Sequence, residues 1–264
     1  MEQFPGVTKA VKKDNSIYYR ASITYRGKHI SLGSFKSPKE ATNAYECARR
    51  ILNCPEYTPE HMEPSKQLPF EKQVVLMNFR DHNLYISHPI YLRKHYFDYY
   101  YSKQICLKFD IDDLFYYSSH KIMKRGNHLF VADYGMQVNI LNRYGIMSFA
   151  VPGRDYEFIN GDSLDFRRHN INIINRYRGV RREKTGNTYR YRTKILVNGS
   201  MNVGIYDTED QAAIAYNKAI DILKKKGVQI NYTPNYLEGL SPAVYAGIYT
   251  DVSISKNILN YTVS

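Results

Sequence analysis

The segment GVRREKTGNTYRYRTKILVNGSMNVGIYDTEDQAAIAYNKA runs from Gly179 to Ala219, and a related segment, GVTKAVKKDNSIYYRASITYRGKHISLGSFKSPKEATNAYECA, runs from Gly6 to Ala48. Tyr191, Thr193 and Ile195 of the later copy stand where the earlier copy has Tyr19, Ala21 and Ile23. Val203-Gly204 answers Leu32-Gly33, and Ala212, Ala215, Tyr216 and Ala219 answer Ala41, Ala44, Tyr45 and Ala48. One small module used twice implies one task done twice.

Each copy reads as strands followed by a helix. Tyr19, Ala21, Ile23, Ile30 and Leu32 alternate with Arg20, Ser22, Thr24, His29 and Ser31 across a turn at Arg26-Gly27-Lys28. A period of two predicts a hairpin whose first set packs on a helix while the second set faces away. Ser37-Pro38-Lys39-Glu40 has the spacing of an N-cap, a first-turn proline and a capping box. Ala41, Ala44, Tyr45 and Ala48 then fall on one helical face, with side chains small enough to let the helix lie close to the sheet. In the second copy the outward set is Arg190, Arg192, Lys194, Ser200 and Asn202, with Arg178 and Arg181 on the preceding strand. Asn198-Gly199 is a strong hairpin signal. Thr208 caps a helix that runs to about Lys226, ahead of Gly227.

The chain has 264 residues, a formal net charge of +12 and a pI near 9.4. Residues 1–54 carry ten Lys/Arg against four Asp/Glu, and residues 175–232 carry twelve against five, while 55–174 are balanced. The excess positive charge therefore sits in the two repeats, the electrostatic footprint of a polyanion binder. Three cysteines, Cys47, Cys54 and Cys106, form no CxxC pair. Their number argues against a disulfide framework or a cysteine-rich zinc site and fits a reducing, intracellular compartment. Met1 is followed by no apolar run, so no signal peptide is expected, and no stretch approaches the length of a membrane span.

The organisation read from these signals is 1–54 as a first module, 55–69 as a linker marked by Pro55, Pro59, Pro64 and Pro69, 70–174 as a central domain, 175–232 as a second module and 233–264 as a tail. The fold class expected is α+β: two small three-stranded antiparallel sheets, each with a helix, around a central α+β domain. Residues 70–105 are aromatic-rich and read as mixed helix and strand. The tyrosines at 96–101 and 115–117 read as core or interface residues, with stacking on single-stranded bases as the alternative. The tail either docks on the core or meets a partner.

Both repeats resemble the AP2/ERF DNA-binding domain. Arg178-Gly179-Val180-Arg181, Tyr191-Arg192-Thr193-Lys194-Ile195, Asn202-Val203-Gly204-Ile205-Tyr206 and Ala212-Ala213-Ile214-Ala215-Tyr216-Asn217 follow that family's motifs in order. The first copy gives Gly6-Val7, Tyr19-Arg20-Ala21-Ser22-Ile23, Ser31-Leu32-Gly33-Ser34-Phe35 and Ala41-Thr42-Asn43-Ala44-Tyr45-Glu46. The resemblance implies a three-stranded sheet on one helix and contact with double-stranded DNA. It also places Tyr45 and Tyr216 where they can reach the DNA backbone, helix-to-sheet packing being the other reading. The family's tryptophans are absent, with Ser31 and Asn202 at one DNA-contacting position, so its base preferences do not transfer.

Leu141-Asn142-Arg143 and the run Glu157–Ile173 resemble an HNH nuclease, a ββα scaffold. Phe158 stands at the histidine that acts as general base, and Asn142 at another family histidine. A phenyl ring takes no proton, so the resemblance implies a degenerate, non-cutting domain. His169 is expected as a surface residue on the α element. A rearranged metal site of His169, Asp162, Glu157 and Asp165 would be the route to residual cleavage.

Together these readings imply a sequence-specific binder of double-stranded DNA, a transcription regulator acting inside the cell, without enzymatic activity, cofactor, metal or membrane. A weak nuclease or a non-regulatory architectural protein is the alternative. A protein partner or self-association through the central domain or tail is a further expectation. Arg190, Arg192 and Asn202 are the expected base readers, since Arg can bridge guanine O6 and N7 and Asn adenine N6 and N7. Lys12, Lys13, Arg182 and Lys184 are expected on phosphates. In the first module Arg20 and Arg26 carry the main charge, with Lys9 nearby and Ser22, Thr24, His29 and Ser31 as polar neighbours.

Overall fold

Two compact units make up the chain, Met1–Ile140 with Asn160–Asn170, and Leu141–Ile159 with Ile171–Ser264. The computed structural model describes residues 5–62 and 65–263, so Pro64 lies outside the described residues. The protein is mixed α+β with several small three-stranded antiparallel sheets.

In the first unit, β1 (Val7–Val11), β2 (Ile17–Tyr25) and β3 (Lys28–Phe35) form an antiparallel sheet in sequence order, backed by α1 (Pro38–Asn53). The period-two reading holds: Ala21, Ile23, Ile30 and Leu32 are buried, and Arg20, Thr24, His29 and Ser31 are exposed. Opposite Ala21 and Ser22 the register slips, so that Ala21 faces Gly33 and Ser22 faces Ser31, with Leu32 as the extra residue of a bulge. The bulge keeps Leu32 inward without turning Ser31 over. Ser37 accepts from Glu40 N while the Glu40 carboxylate accepts from Ser37 N, the capping box read from the sequence. Such a cap contributes about 1 kcal/mol. Ala41, Ala44 and Ala48 are fully buried against the sheet.

The chain does not leave this core at residue 54. Leu68 is buried in the same cluster, and α2 (Phe70–His82) adds Leu76, Met77 and Phe79 to it. The Arg80 guanidinium is buried, donates to the carbonyls of Ile51, Cys54 and Tyr57, and pairs with Asp81. Burying a guanidinium is tolerated only because its donors are satisfied in this way. Beyond α2, β4 (Ile90–Leu92), β5 (Tyr96–Tyr100) and β6 (Cys106–Asp110) form a second sheet. With α3 (Leu114–Ser119) it encloses Phe97, Phe109, Tyr117 and Phe166, whose rings lie in mutual contact. Tyr99 and Tyr100 are also buried, so the core reading of the tyrosines holds for these and for Tyr117. A third sheet is β7 (Ile122–Arg125), β8 (His128–Asp133) and β9 (Met136–Asn139).

In the second unit, β10 (Tyr156–Phe158) pairs with β11 (Ile171–Ile173). Then β12 (Val180–Thr185), β13 (Thr188–Val197) and β14 (Gly199–Tyr206) repeat the first sheet, with α4 (Glu209–Lys225) behind it. The bulge recurs at the equivalent place, with Thr193 opposite Gly204, Lys194 opposite Asn202, and buried Val203 as the extra residue. Thr208 and Gln211 form the second capping box. Thr193, buried, donates its hydroxyl to Ala212 O. That bond satisfies a polar group in a position where the first copy has Ala21.

The tail docks on this core. Val252 and Ile258 are buried among the α4 residues, through a segment that includes α5 (Pro242–Asp251) and α6 (Lys256–Leu259). Asn235 joins its backbone and side chain to Asn217 of α4 and to Arg178 N and O. Among the described residues no helix is long and apolar enough to cross a membrane.

The turn held by Asn235 has little room. Gly179 has φ +75°, and a Cβ there would stand 2.5 Å from Lys194 O and from the Tyr216 ring. Gly186 has a similar φ of +61° in open space. Gly186→Ala is expected to cost only the left-handed backbone penalty, about 1–2 kcal/mol, and Gly179→Ala about 1–2 kcal/mol more for the clash. Urea unfolding measures both, and equal losses would show that the approach to Tyr216 is not tight.

Candidate nucleic-acid interface

Direct partners in an antiparallel ladder point to the same face. Register therefore assigns the open face of the second repeat, away from α4. Arg181 faces Arg192, Glu183 faces Arg190, Lys194 faces Asn202 and Leu196 faces Ser200. Arg181, Arg190, Arg192, Lys194, Ser200 and Asn202 are thus brought together, as the alternation predicts. Arg192 Nη1 lies 3.5 Å from Asn202 Oδ1 across the sheet.

Arg182 and Lys184 do not join them. They stand opposite Tyr191 and Tyr189, on the helix-side face of β12, and Arg182 lies over the Tyr189 ring at 4.7 Å. Arg178 is not on the strand; it precedes β12 in the turn, with its guanidinium 4.5 Å from the centre of the Phe149 ring.

The cations on this face do not all stand without a carboxylate. Glu183 lies on the same face and accepts from Arg192 Nε at 2.9 Å. That bond holds the Glu183 carboxyl below its usual range. Arg190 Nε lies 3.0 Å from Asp207. Two of the four cations thus already have a carboxylate partner, and Arg181 and Lys194 are the exposed charges left between them. Glu183 follows Arg181 by two residues, so the same period of two would have placed it here. Asp207 gave no such signal.

A cleft of about 230 Å³ opens beside this face, lined by Phe149, Arg154, Arg181, Glu183, Arg192 and Lys194. Its far wall is the segment before β10, which the sequence reading did not include. Asp155 fixes that wall. Its buried carboxylate accepts from Val151 N, from Arg154 and from Asn175, whose own Oδ1 accepts from Arg182 N on β12. Burial alone would raise the Asp155 pKa, but Arg154, Val151 N–H and Asn175 outweigh it and hold the carboxyl below its ordinary value.

In the first repeat, Arg20 faces Thr8 and Ser34, Ser22 faces Ser31 and Thr24 faces His29. This open face is mostly hydroxyl. Arg20 donates to Tyr18 Oη and lies over that ring at 5.3 Å. Arg26 is not on the face: it occupies the β2–β3 turn with φ 45°, lies over the Tyr25 ring and reaches Asn83 after α2. Lys9 faces Tyr19, on the helix side. Lys12 and Lys13 are exposed just past the end of β1. Tyr216 is buried against Gly179, and the ring of Tyr45 packs against Gly6, which favours the packing reading of both tyrosines.

The segment 157–173 is a β-ladder joined by an ordered loop. Phe158 faces Ile171, and Glu157 accepts from Asn172 at 2.7 Å. Asn170, buried, receives Asn160 N and donates to Asp162 O and Asp165 O, clasping the loop. Asp165 is committed to Arg167 and Asn160, and Asp162 to Lys108. His169 is exposed, but on a 3-10 turn, Arg168–Asn170, rather than the α element expected, because β11 begins at the next residue. Asn142 is exposed in the turn Ile140–Tyr144. Among the described residues no three His, Cys, Asp or Glu are grouped to hold a metal ion. The chain matches no known protein family, no curated protein and no solved structure.

Because the Asp155 carboxyl titrates low in the folded chain, the stability it contributes is present above the unfolded value, about pH 4, and is lost as pH falls from there through its lower folded value. Urea midpoints should be level at neutral pH and fall in acid, and Asp155→Asn should remove part of that acid slope. An unchanged slope in the variant would assign the acid loss to other groups.

Proposed function

We propose that this chain is a sequence-specific reader of double-stranded DNA, a transcription regulator acting on DNA within the cell. In this reading its two repeats are AP2-like modules, and the 157–173 segment is an HNH-like scaffold that does not cut. The observation that carries the reading is the open sheet face of the second repeat, where Arg181, Arg190, Arg192, Lys194 and Asn202 share one side and the helix takes the other. A strand ribbon fits the major groove, and Arg and Asn are the side chains that read guanine and adenine there.

Roles follow from position. Arg192 and Asn202, at the middle of the face, read bases. Arg181 and Lys194 hold the phosphates beside them. Glu183 must release Arg192 when the face meets DNA, so it opposes binding to any sequence that does not reward that release. The first repeat, with one arginine among hydroxyls, adds affinity by tethering more than it adds readout. Phe158 and Asn142, where proton-accepting side chains would be needed, support a binder without hydrolysis.

Selection from random duplexes is the decisive experiment: an enriched motif supports the reader, and retention of all sequences alike overturns it. Binding should weaken steeply with salt. If about 8 phosphates are neutralised, log K falls against log salt with a slope near −7, and a slope shallower than about −2 would remove the basic faces from the contact. Arg192→Ala should lower affinity for the selected site about tenfold or more and relax one or two positions. Glu183→Gln should instead tighten binding to unrelated duplex, and Lys184→Ala should change little. Plasmid incubated with Mg²⁺, Mn²⁺ or Zn²⁺ should stay intact; nicking lost on Asp162→Asn would turn the assignment to a nuclease.

A further inference from the structure

A second site lies in the first unit, far in character from the sheet faces. A cavity of about 900 Å³ opens between the start of α2, the 87–89 loop, the end of β5 and the β7–β8 hairpin. That volume is at the upper end of those that hold small ligands. Its floor is apolar, with Val75, Tyr99 and Ile122 buried. Tyr101 and Phe130 are half-buried on the wall, presenting aromatic surface.

Its rim is cationic. Lys72, Lys121, Lys124 and Arg125 all line it, and among the described residues none of the four is paired with a carboxylate. Four unpaired cations around one opening in a region of balanced charge repel one another, and an anion placed there relieves the repulsion. The first turn of α2, which has no side-chain cap, lines the same cavity through Pro69, Glu71 and Lys72, and the positive end of its helix dipole favours an anion there. Burial presses the Lys72 ammonium below its usual pKa, a cost that a neighbouring phosphate would offset. Glu71 is the carboxylate on the wall, placed to accept from a sugar hydroxyl or an exocyclic amine.

We propose that this cavity binds a nucleotide, its base held against Tyr101 and Phe130 and its phosphates held by Lys72, Lys121, Lys124 and Arg125. Apolar floor, aromatic wall and cationic rim match base, sugar and phosphate in one ligand, where a simple anion would use only the rim. The nucleotide comes either free or as a unit of a single strand. The site is separate from the duplex-reading faces and does not depend on them.

Calorimetric titration of the full chain at low salt tests this with ATP, adenosine, inorganic pyrophosphate and a short oligothymidylate. ATP should bind at one site, with adenosine and pyrophosphate each about tenfold weaker or more, because each lacks half of the contacts. Lys124→Glu with Arg125→Glu changes only exposed side chains and should weaken ATP about tenfold or more. Tyr101→Leu, checked for folding by thermal melting, should weaken it about fivefold. Arg192→Ala should leave it unchanged. If the oligothymidylate displaces ATP and binds more tightly, the natural source is a strand; if ATP is the tighter, it is a free nucleotide. The proposal is overturned if neither binds, if pyrophosphate binds as well as ATP, or if the Lys124/Arg125 variant binds ATP as the wild type does.

Discussion

Close contact between an alanine-faced helix and a three-stranded sheet is the constraint on which both repeats depend. Ala41, Ala44 and Ala48 in α1, and Ala212, Ala215 and Ala219 in α4, are fully buried. A larger side chain at any of them would push helix from sheet, because protein interiors leave no spare volume. The same closeness dictates the glycine at the mouth of each sheet. Gly6 and Gly179 lie against Tyr45 and Tyr216 in backbone conformations that side chains rarely adopt. With the apolar half of each strand committed to the helix, every alternate residue is left facing outward. The chemistry of the open face is a by-product of how the closed face packs.

That open face differs between the copies although the scaffold does not. The first is mostly hydroxyl around Arg20; the second concentrates Arg and Lys, then restrains two of them with Glu183 and Asp207. Two like scaffolds that differ on one face keep the residues that set stability apart from those that set surface chemistry. Residues that hold the sheet on the helix stay put while those pointing away are free to change.

Much of this was legible in the sequence. Period-two alternation assigned the faces of β2, β3, β13 and β14, and the capping box at Ser37 and the N-cap at Thr208 fixed where α1 and α4 begin. The misplaced residues share a cause. Arg26 and Arg178 were grouped with the open faces by charge and proximity in sequence, whereas register and turns decide which side a residue takes. The continuation of the first core through Leu68 and α2 was hidden because α2 is buried almost all round and shows no amphipathic period. The 3-10 turn at Arg168–Asn170 was hidden because loop length, not propensity, leaves no room for a helix before β11. Clefts drawn from segments distant in sequence, such as Phe149 and Arg154 beside Lys194, have no signature in one dimension.

The tail that docks on α4 also reaches the outer strand of the second sheet. Ser255 N donates to Val203 O at 2.8 Å, and the Ser255 hydroxyl donates to Asn202 O at 2.7 Å, at the bulge of β14. An unprotected edge strand invites pairing with a strand from another molecule, and a bulge together with a covering segment blunts it. For a chain whose proposed task would crowd copies along one polymer, this guards against self-templated aggregation. The tail thus covers part of the outer edge of a sheet whose charged face it leaves open.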